Sequence, residues 1–233
     1  STVVRMVVHG VGITVVPEGA LRMLDHEDYA VARFAEAGVR VAIGHTNADA
    51  ATTRAAFDAD ATLLTHAFNA MPPLLHRAIG PIGAALADPR VTLEVIADGV
   101  HVDPVLVRTL FAAAPGRVAL ITDAMAAAGS SDGDYTLGSL RVRVRDGVAR
   151  LDDGAGTVGV IAGSTLTMDA AVRTAVRAGV APADALAAAS IVPARALGLA
   201  AGTLEVGAPA DVVLLDACLL YTSDAADEGF GGG

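Results

Sequence analysis

Short hydrophobic runs recur along the chain, each followed by a stretch of helical spacing. The runs at 3–8, 39–43, 62–65, 91–96 and 118–122 are continuous rather than alternating, which is the pattern of strands buried on both faces. Between them the spacing predicts helices over 25–37, 49–59, 82–87 and 104–114, with a polar, proline-containing loop at 69–81. Gly38 is placed to stop the first helix, and Pro104 stands in the first turn of the last, where its missing N–H costs nothing. Alternation of strand and helix predicts a parallel sheet with helical crossovers.

The rhythm changes near residue 135. LRVRV and VARL alternate with period two on either side of Asp146-Gly147, so a β-hairpin insertion is expected at about 135–151. Helices resume at 166–178, 182–189 and 193–197, and 202–216 reads as a turn followed by a strand. The final segment, ACLLYTSDAADEGFGGG (217–233), breaks the pattern with small and acidic residues and is expected to be a disordered or non-native tail. The organisation expected is an α/β chain with an incomplete (β/α) barrel over 1–200, a C-terminal strand over 201–216, and the tail. No repeat of solenoid period is present.

Composition narrows the function. Hydrophobic residues make up 53% of the 233 residues, ample for a core, and much of this is alanine and valine, suited to helices packed on parallel strands. A net charge of −10, with 3% aromatic residues and no tryptophan, argues against a nucleic-acid partner. The single cysteine, Cys218, excludes an internal disulfide and any CxxC metal site. The longest charge-free stretch, 154–168, is too short and too rich in Gly, Ser and Thr to span a bilayer. The N-terminus lacks a charged leader followed by a long apolar run. Together these point to a soluble cytoplasmic protein with no membrane partner.

Four of the hydrophobic runs end in residues fit for chemistry: His45, His66, Asp98 and Asp123. In a parallel barrel the C-terminal strand ends are where catalytic groups gather. Neutral imidazole is a good ligand for Zn²⁺ or Fe²⁺, and His45 and His66 follow consecutive strands, so a shared divalent metal ion is expected. A lone histidine after a strand is more often a core or loop residue; it is the pair that carries the expectation. Asp123 shares that rim and could serve as ligand, general base or helix cap. Arg77 has the shape for phosphate recognition, and His101 lies on another rim loop, where it could touch substrate. His9, His26 and His76 belong to no comparable pattern.

The motifs GHTNADA (44–50), THAFNAMPPLLHRAIG (65–80), ADGVHVD (97–103), LITDAM (120–125), IAGSTLTMDAAVR (161–173) and GTLEVGAPADVVLLD (202–216) stand in order. Taken together they resemble the N-acetylglucosamine-6-phosphate deacetylases of the amidohydrolase superfamily, over residues 39 to 216. The resemblance implies a partial TIM-type (β/α)8 barrel of the metal-dependent hydrolase kind, with the last strand belonging to a small β domain. It implies deacetylation of N-acetylglucosamine 6-phosphate to glucosamine 6-phosphate and acetate. His45 and His66 match the family's metal-binding histidines, and Asp123 its catalytic aspartate. Asn69, Ala70, Arg77 and His101 match substrate-binding positions, with Arg77 near the phosphate, and Ile161, Ala162 and Gly163 a backbone segment lining the same pocket. A homodimer is implied as well. The family's His-x-His pair and metal-binding Glu have no counterpart, Glu18 not being one, so the chain corresponds to the C-terminal two-thirds of such an enzyme. Two other readings remain open: an amidohydrolase acting on a cyclic amide or another N-acyl substrate, and a non-catalytic remnant that binds sugar phosphate.

Overall fold

In a computed structural model of the protein, the described residues are 13–15, 35–36, 38–152, 154, 159–209, 211–216, 218–219 and 221–224. Five strands, β1 (Ile13–Val15), β2 (Arg40–Ile43), β3 (Ala61–Leu64), β4 (Thr92–Ile96) and β5 (Val118–Ile121), form one sheet in the order β1-β2-β3-β4-β5, every pair parallel. Chain order and spatial order coincide without the reversal that marks a doubly wound sheet, which is the arrangement of a (β/α) barrel arc. The strand expected at 3–8 lies outside the described residues, as does most of the helix expected at 25–37. The first described strand is the later segment ITV, and Ala35 and Glu36 are helical just before Gly38, whose φ is 77°.

Helices α1 (Ala50–Asp58), α2 (Gly80–Ala87) and α3 (Pro104–Ala113) follow β2, β3 and β4. Two of them start on a side-chain cap: Asp49 accepts the Thr52 N–H at 2.8 Å, and Asp103 accepts the Val105 N–H at 2.8 Å. Helix α2 begins two residues before the expected Ile82, because Pro81 occupies its first turn. The sheet face toward the helices is apolar, and Leu64, Leu93, Val95 and Leu120 pack there with Phe57, Ile82, Val107 and Leu110. Each such side chain contributes about 1.5–3 kcal/mol by leaving water.

After β5 the chain leaves the barrel pattern for a three-stranded antiparallel sheet, β6 (Gly133–Leu137), β7 (Leu140–Arg145) and β8 (Val148–Leu151). The expected hairpin is β7–β8, with positive φ at both Asp146 (52°) and Gly147 (72°), the geometry a tight two-residue turn needs. The added strand β6 widens the insertion. Val142 and Val144 of the alternating LRVRV face a small core with Met125, Ala127, Ala149 and Ala162. Beyond it, residues around Ser164 form a parallel bridge with Ala124 beside the end of β5, where a next barrel strand would lie. Helices α4 (Met168–Arg177) and α5 (Pro182–Ala189) then pack back on β5, and α6 (Ile191–Leu197) closes at Gly198 with φ 73°.

Strand β9 (Val213–Leu215) falls within the expected 202–216 segment. The chain then reverses through Cys218, whose N–H reaches the Asp216 carboxylate, and Leu219, whose φ is 59°. Tyr221–Asp224 forms β10, antiparallel to β9, in a segment where no element was expected. A paired partner satisfies the backbone groups that a lone β9 would leave open, which composition alone does not reveal. Among the described residues no helix is long and apolar enough to cross a membrane.

The end of β4–β5 away from the motif residues is held by Arg117. Its guanidinium donates to the carbonyls of Ala85, Asp88 and Val91 through Nη1 and of Leu86 through Nη2, at 2.7–3.1 Å. These include the last carbonyls of α2, which have no partner inside the helix. Replacing Arg117 with alanine is expected to destabilise the fold by roughly 3 kcal/mol, with lysine recovering only part of the loss. Urea denaturation measures it, and an unchanged midpoint for the alanine variant would refute the assignment.

Candidate active site

The chemistry-bearing residues sit where the strands end, and the backbone there is unusual. His45 (φ 46°), His66 (φ 29°) and Asp123 (φ 48°) follow β2, β3 and β5, and all three lie in the left-handed region that L-residues rarely occupy. Such conformations persist only where the surroundings over-determine them. Gly44 is part of that surrounding. A Cβ at this position would stand 2.9 Å from Thr65 Cβ and 3.2 Å from its Cγ2, so only glycine lets the two strand ends approach this closely.

The result is a pair of imidazoles with ring centroids 4.7 Å apart, packed edge to face at 72°. His66 is 5% exposed, and its buried Nδ1 has no hydrogen-bond partner. Burial holds the His66 pKa below its ordinary value; the neighbouring His45 adds to this and the Asp123 carboxylate opposes it. A neutral ring with an unused buried nitrogen is the form a metal ligand takes, so His45 and His66 fit a shared cation in part. Among the described residues, no three His, Cys, Asp or Glu side chains come together as a metal-holding group.

The other residues expected at the site divide into separate places. His101 sits on the loop after β4, its Nδ1 2.6 Å from Asp98 Oδ2 in a buried pair. Asp98 Oδ1 also accepts the N–H groups of Val100 and His101 at 2.8 Å. Burial pushes the Asp98 carboxyl up, but the His101 ring and these two N–H groups outweigh it and hold the pKa below the ordinary range. His101, Ile161 and Gly163 line one cavity of about 270 Å³, roofed by the hairpin tip at Asp146 and Gly147. Ala162 is buried in the small core behind it. Ala70 shares an open depression of about 460 Å³ with His45, and its carbonyl accepts the Thr46 N–H at 3.1 Å. Asn69 points its amide back to the carbonyls of His66 and Ala67, both at 3.3 Å. Arg77 is exposed and lines neither cavity.

One residue of the neighbourhood was missed in the sequence. Glu94, inside the apolar run of β4, is partly buried, and burial pushes its carboxyl up to about 7; Asp123 adds to the rise and a hydrogen bond from Thr65 opposes it. The signal available was an acidic residue in the middle of TLEVI, in a strand otherwise apolar.

Two outcomes follow from this geometry. Gly44→Ala is expected to displace Thr65 and His66, weakening the binding of an added divalent cation by tenfold or more with only modest loss of stability; calorimetric titration that finds wild-type affinity would refute it. The second concerns pH. Because the folded pKa of Glu94 is raised from 4.5 to about 7, the unfolded chain ionises first as pH rises between those values. Stability is therefore present in full below the lower value and falls through the window, by roughly 3 kcal/mol in all. Glu94→Gln should flatten that slope in metal-free protein, and an identical slope in both proteins would count against it.

A family model for amidohydrolases matches residues 10–229. The chain is 46% identical over 205 residues to the N-acetylgalactosamine-6-phosphate deacetylase of Escherichia coli O157:H7, covering 87% of this chain and 51% of that protein. It is 38% identical over 212 residues to the N-acetylglucosamine-6-phosphate deacetylase of Bos taurus, covering 88% of this chain and 50% of that one. Among solved structures, the N-acetyl-D-glucosamine-6-phosphate deacetylase of Mycobacterium smegmatis superposes with a TM-score of 0.79 at 46% identity, over 90% of this chain and 55% of the other. The N-acetylglucosamine-6-phosphate deacetylase of Thermotoga maritima gives 0.78 at 31% identity, over 91% and 56%. The chain thus spans about half the length of the curated relatives it matches. On the extent of the match and on the fold, the chain belongs to the amidohydrolase family.

Proposed function

We propose that this chain carries the C-terminal part of a metal-dependent deacetylase acting on an N-acetylated amino-sugar 6-phosphate, releasing acetate and the free amine. The single observation that carries the reading is the arrangement of the rim: the His45–His66 pair after β2 and β3, with the Asp123 carboxylate after β5 acting on His66, all at the same end of one parallel arc. A divalent cation, Zn²⁺ or Fe²⁺, held by the two histidines would polarise the acetamide carbonyl and lower the pKa of water there. Asp123 takes a proton from the attacking water as the new C–O bond forms. It returns that proton to the nitrogen as the C–N bond breaks, so the amine leaves neutral together with acetic acid, whose own proton then passes to the amine or to solvent to give acetate.

The sugar lies toward the cavity under the hairpin. Its hydroxyls face the ring of His101, whose Nδ1 is engaged by Asp98, leaving Nε2 for the ligand. The backbone of Ile161, Ala162 and Gly163 lines the same side. Asn69 and Ala70 border the acetamide end, and Arg77 receives the phosphate. Because Arg77 lines neither cavity, this assignment includes a second copy of the chain bringing its own loop to the phosphate, as a homodimer. N-acetylglucosamine 6-phosphate is the proposed substrate. The galactosamine names among the relatives make the C4 epimer the nearest alternative.

A second reading, a remnant that binds sugar phosphate without turnover, draws on the fact that two histidines make only a partial ligand set. The experiment is acetate release from both hexosamine 6-phosphates and from unphosphorylated N-acetylglucosamine, with added Zn²⁺ or Fe²⁺. The expected result is turnover of the phosphorylated sugars, with Asp123→Asn lowering kcat by about 10²–10⁴-fold while metal stays bound. Sugar-phosphate binding with no acetate released would favour the remnant. Equal turnover with and without phosphate would remove Arg77 from its role.

A further inference from the structure

Asp123 has an exposed side chain and a left-handed backbone, and nothing in its own strand holds that conformation. What holds it comes from the segment that follows the hairpin. Ser164 is 3% exposed. Its hydroxyl donates to the carbonyl of Thr122 and accepts the Leu166 N–H at 3.0 Å. Its own N–H donates to the Asp123 carbonyl at 2.8 Å, and its carbonyl accepts the Met125 N–H at 2.9 Å. Ser164 therefore grips the residue before Asp123, Asp123 itself, and the second residue after it. Gly163 makes the approach possible: with φ 63°, an added Cβ would stand 3.2 Å from the Asp123 carbonyl and 3.3 Å from Met125 Cβ.

We infer that Ser164 is a positioning residue, whose hydroxyl and peptide group hold Asp123 in the left-handed conformation that presents its carboxylate to the His45–His66 pair. A left-handed L-residue costs about 1–2 kcal/mol, so without an external grip the extended conformation of the preceding strand competes. The hydroxyl contributes what the peptide bridge alone does not, a bond to Thr122 that fixes the peptide plane entering Asp123. Ser164 also directly follows the Ile161–Gly163 segment, so one clamp sets both the cavity wall and the acid/base. That catalytic consequence rests on the deacetylase reading above; the conformational claim does not.

The test is nuclear magnetic resonance of the labelled full chain, reading the HN–Hα coupling and the Cα and Cβ shifts of Asp123, together with kcat and KM. In Ser164→Ala the Asp123 signals should move away from their left-handed values while those of Phe57 and Val107 in the core stay in place. Ser164→Thr, which keeps the hydroxyl, should restore them. With turnover, kcat should fall about 10–100-fold with KM within about twofold. Asp123 signals unchanged in Ser164→Ala would overturn the inference whatever happens to Tm, as would an unchanged kcat. Absence of acetate release by the wild type would sink the deacetylase reading and leave the coupling to decide this one. Should Ser164→Ala fail to fold, wild-type amide exchange decides: Met125 and Ser164 protected as strongly as β5 supports the clamp, and loop-like exchange refutes it.

Discussion

The approach of β2 to β3 at their C-terminal ends is the constraint on which the rim depends. Position 44 has no side chain, Thr65 fills the space a Cβ would take, and the imidazoles of His45 and His66 meet as a consequence. Their backbones, like that of Asp123, are left-handed, a local cost of about 1–2 kcal/mol at each site. The cost is borne by the sheet beneath. Leu64, Leu93, Val95 and Leu120 are essentially inaccessible to water, and burial on that scale fixes the strands firmly enough to dictate what their ends do.

Two carboxyls at β4 show how the same fold sets opposite charge states within a few residues. Glu94 is drawn into the arc, where burial and the neighbouring Asp123 favour its protonated form. Asp98 is also buried, yet three donors converge on it and keep it ionised. Depth and donors act together: Glu94 lies deeper and a single hydrogen bond from Thr65 does not offset its burial, whereas Asp98 lies shallower and its three donors outweigh burial. An ionised Asp98 in turn orients His101 toward the cavity. The net charge of −10 thus says little about local preference for an anion, which is decided by which few groups face each cavity.

The insertion after β5 is part of the same architecture. Its alternating valines close a second, small core over Met125 and Ala162, and this brings the hairpin tip over the cavity that His101 and Ile161 line. One wall of the candidate site therefore depends on packing between segments far apart in sequence. The family match extends across both the barrel arc and this insertion.

Much of this was legible in the chain. The continuous apolar runs located β2 to β5 to within a residue or two, Asp-Gly located the turn of β7–β8, and His45, His66 and Asp123 stood out because each ends such a run. Those are local signals: burial sets the run, and turn chemistry ends it. The sequence by itself could not place Asn69, whose amide turns inward to its own loop, or Arg77, which stands away from both cavities. Nor did it reveal strand β10, the buried state of Glu94, or the orphaned nitrogen of His66. Each of these depends on which distant atoms arrive nearby, and that is settled only when sheet, helices and insertion pack. Periodicity encodes what a residue's own segment will do; proximity, charge state and hydrogen-bond partners belong to the tertiary structure.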